Sequence, residues 1–327
     1  MKNSIRLATA SLFAFAALGA QAQSNVTVFG LMDLSVGSTK APGGIANRDV
    51  DSGKMTTSYF GLRGSEDLGG GLSAVFRLEH FLRADTGEAG RFNGDSFWSR
   101  TASVGLSHKD YGTLTLGRNT TPLFVATINF NPFGDSFGLS PAVRHYFTSG
   151  TATGDSAWND SIVYSSRVFG GLRVGAAVTT DTNGAGGRNT GFNLGYSAGP
   201  LAAALVFQDV EKDGATPVQD TRTWQLSGSY NAGIAKLFAQ VGTVDNKTTG
   251  NDYDLTGLGA SVPVGAGFVL AYWGQIKPAT GAKRTTVTVG YDHYVSKRTD
   301  LYAVAMSDKL SGLSSGHGYS LGIRHRF

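Results

Sequence analysis

The chain has 327 residues, 28 basic against 24 acidic side chains, 46 glycines, eight prolines and no cysteine. The absence of cysteine excludes a disulfide scaffold and thiolate metal sites. A net charge of only +4, with no Lys/Arg stripe, excludes a nucleic-acid footprint.

The first element is a leader. MKNSIRLATASLFAFAALGAQAQ carries Lys2 and Arg6, an apolar run from Leu7 to Ala20, and small residues at Ala20 and Ala22. That pattern predicts a secretory signal peptide over 1–22, cleaved after Ala22. The run is shorter than the roughly 20 residues of a helical span. The remainder, 23–327, shows no linker and no shift in composition, so one domain is expected. Loss of Lys2 and Arg6 leaves 26 basic residues against 24 acidic ones.

Alternating segments then follow in sequence. They predict strands over 26–35, 58–65, 72–83, 98–107, 112–118, 161–166, 172–180, 189–198, 201–209 and 221–230. Six more are predicted over 235–244, 253–262, 268–276, 284–294, 300–307 and 317–327. Period-2 alternation marks strands whose two faces meet different surroundings. Leu72, Ala74, Phe76 and Leu78 oppose Arg77 and Glu79, and Trp224, Leu226 and Tyr230 oppose Thr223, Gln225, Ser227 and Ser229. In the last segment Tyr319, Leu321, Ile323, His325 and Phe327 share one side.

Connections alternate in length. EDLGGG, HKDYG, RVFGG, GP, NAG, PVGAG and VSKRT are short, and the longest of the others runs from Asn119 to Asp160. Sixteen strands, two unlike ends and an apolar side opposite a polar one are the pattern of an antiparallel transmembrane β-barrel. Its short turns and both termini would be periplasmic. A soluble β-sandwich would segment near 100 to 150 residues, which this chain does not.

Several blocks are similar to one family. They are SNVTVFGLMD at 24–33, GLRGSEDLGGGLSAVFRLE at 61–79, YGTLTLGRN at 111–119, NPFG at 131–134, NDSIVY at 159–164, SKRTDLYAV ending at Val304, and GIRHRF at 322–327. Together they resemble the trimeric general-diffusion porins of β-proteobacteria and Neisseria. The resemblance implies a homotrimer in the cell outer membrane, among lipid and lipopolysaccharide. It also implies a third loop folded into the lumen, passive diffusion of small hydrophilic solutes, and a terminal Phe327 read by the barrel-assembly machinery. No cofactor is implied.

Pore function rests on geometry and field, so the candidate residues are charged groups at the narrowest point. Alternation turns Arg63, Arg77, Glu79 and Arg173 inward, and the long loop adds Asp135, Arg144 and His145. Arg77 and Glu79 are also spaced to pair with each other. Arg100 matches a basic position of the family, but alternation from Ala102 and Val104 turns it outward unless the strand starts irregularly. The family's basic cluster is otherwise incomplete: Tyr59 and Ala157 stand where many members carry arginine. A weak anion preference is therefore expected. A saturable channel for an oxyanion or organic acid is the alternative, and a structural or adhesive surface protein a more distant one.

Outward residues of the first and last strands, Val26, Val28, Leu321 and Ile323, are expected trimer contacts, with the loop 84–97 as a latch. Phe29, Trp273 and Tyr319 are read as outward aromatics. No enzyme is expected. GLSSG at 312–316 matches a nucleophile motif but lies between two strands, without the strand-turn-helix that strains such a serine. The six histidines show no zinc spacing, and the acidic residues form no calcium loop.

Overall fold

The computed structural model describes residues 25–148, 156–180, 187–211 and 220–327, so the leader expected over 1–22 lies outside the described residues. Sixteen strands close on themselves. The first eight are β1 (Asn25–Lys40), β2 (Tyr59–Gly69), β3 (Leu72–Arg83), β4 (Thr101–His108), β5 (Gly112–Thr120), β6 (Ala157–Ser165), β7 (Leu172–Thr179) and β8 (Thr190–Ala198). The second eight are β9 (Leu201–Val210), β10 (Thr221–Asn231), β11 (Lys236–Asn246), β12 (Asn251–Val264), β13 (Gly267–Pro278), β14 (Arg284–Tyr294), β15 (Thr299–Leu310) and β16 (Gly316–Arg326). Each pairs antiparallel with its neighbours, and β16 pairs back onto β1 with Leu34 opposite Ile323. Closure leaves no barrel edge, so strand pairing satisfies the ladder without a helix. No described helix is long and apolar enough to cross a membrane.

The faces follow the alternation. Trp224, Leu226 and Tyr230 of β10 are exposed on the outside, and Thr223, Gln225, Ser227 and Ser229 are buried inside. Val104, Leu106, Leu114 and Leu116 extend the apolar exterior across β4 and β5. Phe29 departs from expectation. It points inward with Leu31 and Asp33, and the Arg63 and Arg77 guanidinium groups lie 4.8 and 5.4 Å from its ring centroid.

Several strand limits also differ, and β2 runs on to Gly69 rather than 65. β1 runs on to Lys40 because a return strand, Ala46–Ser52, pairs with its far half. β4 starts at Thr101 rather than 98. β6 starts at Ala157 rather than 161, entering past Asp160, whose φ of 49° breaks regular pleating. The second loop carries a small strand of its own, Glu88–Ala89, folded onto the end of β3.

The terminal residue completes the seam. Phe327 exchanges backbone hydrogen bonds with Gly30, at 3.1 and 3.2 Å, and its ring covers that glycine. A Cβ on Gly30 would stand 2.5 Å from the Phe327 ring and 2.6 Å from the Tyr59 carbonyl oxygen. Gly30→Val is therefore expected to lower barrel stability by about 1–3 kcal/mol, the usual cost of overpacking. Heat-modified migration of the folded band on gels measures it; an unshifted transition would mean that the seam tolerates the extra bulk.

Candidate functional site

The β5–β6 connection lies against the inner wall. Thr121 caps its first helix, α1 (Pro122–Asn129), by accepting from the Phe124 N–H at 3.2 Å. The proline at the first position suits a helix start, where no amide partner is needed. Inward-pointing Gln225 and Gln240 donate to the Thr127 hydroxyl and carbonyl, at 3.1 and 3.0 Å. A second short helix, α2 (Pro141–Val143), is capped by Ser140 and runs into a π-turn, Arg144–Thr148.

Apolar packing holds this connection in place. Leu123, Phe130 and Tyr146 bury against Val206, Val244 and Ile276. These wall residues are inward-facing valines and an isoleucine in a lumen that is otherwise polar, so they mark where the connection sits. Complete burial of each such side chain is worth about 1.5–3 kcal/mol. The wall is also cut away beneath it: a Cβ on Gly274 would meet Pro141 at 2.9 Å and the His145 ring at 3.2 Å.

A second inner element was not foreseen. After the return strand the chain forms a strap, residues 53–58, along the inner face. Asp33 of β1 accepts the Met55 and Thr56 N–H groups at 2.8 and 2.6 Å and the Tyr302 hydroxyl at 2.7 Å. Met55 packs with Phe133, Leu139 and Ala142 of the long connection. The Lys54 carbonyl accepts the Ser136 hydroxyl at 2.6 Å, and the Thr56 hydroxyl donates to Asp135 at 3.1 Å. Arg324, ion-paired to Asp292 and Asp300 at 2.5 and 2.6 Å, also donates to Thr56. The strap thus fixes the carboxylate of Asp135 from behind.

In front of Asp135 stands Arg100. Because β4 begins one residue later, Arg100 escapes the alternation and turns inward. Its guanidinium reaches Glu79 at 3.5 Å and Asp135 at 3.7 Å, and stacks 4.3 Å over the Tyr59 ring. The Tyr59 ring therefore supports Arg100 from below. Arg77 pairs with Glu79 at 2.7 Å and lies opposite Arg63 in the β2–β3 register. Arg63 forms no ion pair among the described residues.

Arg118 belongs to the same region and alternation hid it. The register slips between Gly117 and Asn119, and Arg118 at the bulge donates to the Ser99 carbonyl, the Ala157 carbonyl and Asn159. The cue was Gly117 inside a strand, a common sign of a bulge. Three guanidinium groups (Arg63, Arg77 and Arg100) thus stand with two carboxylates, Glu79 and Asp135, on this wall.

The remaining candidates lie elsewhere. Arg144 pairs with Asp308 at 2.9 Å, beside the Arg284–Asp308 pair, and His145 meets Thr286 at 2.9 Å; both tie the connection to the β14–β15 wall. Arg173 is exposed near the short-turn end of β7. Burial, reinforced by the Arg144 and Arg284 charges, pushes His145 down to about 3. An unfolded histidine titrates near 6.5, so between those values the released loop binds a proton that the seated loop refuses. Seating is at full strength above about pH 6.5 and weakens as pH falls, by on the order of 3 kcal/mol at pH 4. The thermal transition is expected to fall less steeply from pH 7 to 4 in His145→Gln than in the parent. Parallel slopes would remove His145 as the cause.

A protein-family model described as Gram-negative porin matches residues 8–313. The chain is a Gram-negative porin. Outer membrane porin protein 32 of Delftia acidovorans is 33% identical over 97% of this chain and 99% of its own length. An outer membrane porin protein of Bordetella pertussis is 28% identical, with full coverage of both chains. Among solved structures, the anion-selective porin from Comamonas acidovorans superposes with a TM-score of 0.79 at 29% identity, covering 93% of this chain and all of that one. The porin is accordingly an outer-membrane channel protein, with an apolar exterior and a polar interior.

Proposed function

We propose that this porin favours small anions and that Arg100, Glu79 and Asp135 form its constriction, with Arg63 and Arg77 on the adjoining wall. The observation that carries this reading is the local charge: three guanidinium groups beside two carboxylates, with Arg63 outside any ion pair among the described residues. Selectivity follows the sign of the charged side chains lining the narrowest point. The solved relative from Comamonas acidovorans, itself described as anion-selective, supports the same sign. Arg144 and His145 act as anchors of the constriction loop, and Arg173 as a lesser charge near the periplasmic mouth. No reaction is proposed for any of them.

The working unit is proposed to be a homotrimer. An apolar groove of about 710 Å³ runs over the outside of the seam, between Leu34, Val36, Leu301, Ala303, Leu321 and Ile323. Val26 and Val28 continue it and are more than 60% exposed on the isolated barrel. The loop 84–97, braced by Arg83–Glu88 and Arg91–Asp95 pairs, presents Phe92 and Phe97 for a neighbouring copy. Residues 1–22 are proposed to be the cleaved leader, and Phe327 the assembly signal. Planar-bilayer recording tests the whole reading. Three-step closure and a reversal potential toward chloride in a KCl gradient are expected; a potential toward potassium would overturn the anion preference.

A further inference from the structure

We propose that the lumen wall on the periplasmic side of the constriction holds a binding site for monocarboxylates with an apolar body, such as aromatic or branched-chain acids. This rests on the open anion-favouring channel proposed above. A cavity of about 560 Å³ lies there, lined by Arg63, Arg77, Val75, Phe76 and Val163, with hydroxyls on the facing strands.

Its charge selects a monoanion. Arg77 is committed to Glu79 at 2.7 Å, so Arg63 supplies the single net positive charge. A phosphate or dicarboxylate would bring a second charge with no counterpart. The Arg63 guanidinium lies 4.8 Å from the centroid of the inward Phe29 ring, which restrains its side chain. A planar fork held in this way suits bidentate pairing with one carboxylate. The hydroxyls of Thr27 and Ser103 line the same space and supply donors beside that fork.

The walls select the remainder of the ligand. Val75 and Val163 occupy inward positions, where the alternation elsewhere on β4 and β5 places Thr and Ser. They offer an apolar surface that chloride or acetate cannot use. A branched chain or phenyl ring fits both the volume and the chemistry, as in other ligand sites with apolar walls and few polar groups.

The test is single-channel recording in KCl with millimolar benzoate, acetate or phosphate added. Benzoate is expected to interrupt the current in discrete events, at concentrations at least tenfold below those at which acetate or phosphate does so. Arg63→Gln should raise the blocking concentration at least tenfold, and Val163→Thr severalfold. Benzoate that acts no more strongly than acetate, or an unchanged block in both variants, would overturn the site. Should the parent channel fail to conduct KCl or prefer potassium, the channel reading itself fails. A channel that conducts and prefers chloride without benzoate block removes only the site.

Discussion

Arg100→Glu is expected to move the reversal potential in a KCl gradient toward potassium. Arg100 stands 3.5 Å from Glu79 and 3.7 Å from Asp135, and it is the only described group bridging the β3 wall and the β5–β6 connection by ion pairs. The substitution changes three guanidinium groups and two carboxylates into two and three, which reverses the local sign. A unit charge about 4 Å away contributes roughly 4 kcal/mol at an effective dielectric near 20. If ions in water feel a third of that, the chloride preference falls about tenfold, since about 1.4 kcal/mol is a factor of ten. Arg100→Lys is the control: it keeps the charge but loses the planar stacking on Tyr59, and should shift the potential only slightly. An unaltered potential in Arg100→Glu would place the ion path elsewhere.

The second large effect is expected behind that charge, where the strap is held. Asp33→Ala strips the buried acceptor from two strap amides and from the Tyr302 hydroxyl. Each orphaned donor costs about 1–3 kcal/mol, and loss of one partner from a buried charged network reaches about 3–5 kcal/mol. The strap would then release Thr56 from Asp135, and Lys54 from Ser136. Larger, noisier openings are therefore expected in Asp33→Ala, with faster digestion of the strap by protease. Tyr302→Phe removes one of the three bonds and should show a small version of the same change. Quiet parental openings in Asp33→Ala would show that apolar packing around Met55 suffices to hold the strap.

Much of this architecture was legible in the sequence because alternation records two different surroundings. The exterior residues of β10 and β16 and the inward Arg63, Arg77 and Glu79 are read directly from period 2. Where a third layer intervenes, that code changes meaning. Val206, Val244, Leu255 and Ile276 face inward yet are apolar, because the β5–β6 connection, distant in sequence, covers them. Phe29 faces inward beneath two guanidinium groups, so its aromatic character gave the wrong face. Arg100 and Arg118 sit where pleating is interrupted, at a strand start and at a bulge, and alternation fails at both. The strap was invisible for a different reason. Residues 53–58 carry no period, and their placement depends on a single carboxylate in β1 and on partners from β15 and β16.

The seam has a consequence for how the molecule comes into being. β1 and β16 come from opposite ends of the chain, and their pairing, Leu31 opposite Arg326 through Lys40 opposite His317, has the greatest sequence separation in the sheet. Every other barrel pairing joins strands that follow one another, so local hairpins can form early and cheaply, while the last ladder must wait for the entire chain. Until then both strands present unpaired amides and carbonyls, an edge open to any passing strand. Loss of the final residues would therefore do more than shorten one strand: it would leave a fifteen-membered ribbon prone to zip onto its neighbours, and aggregation rather than a leaky pore is the phenotype to expect.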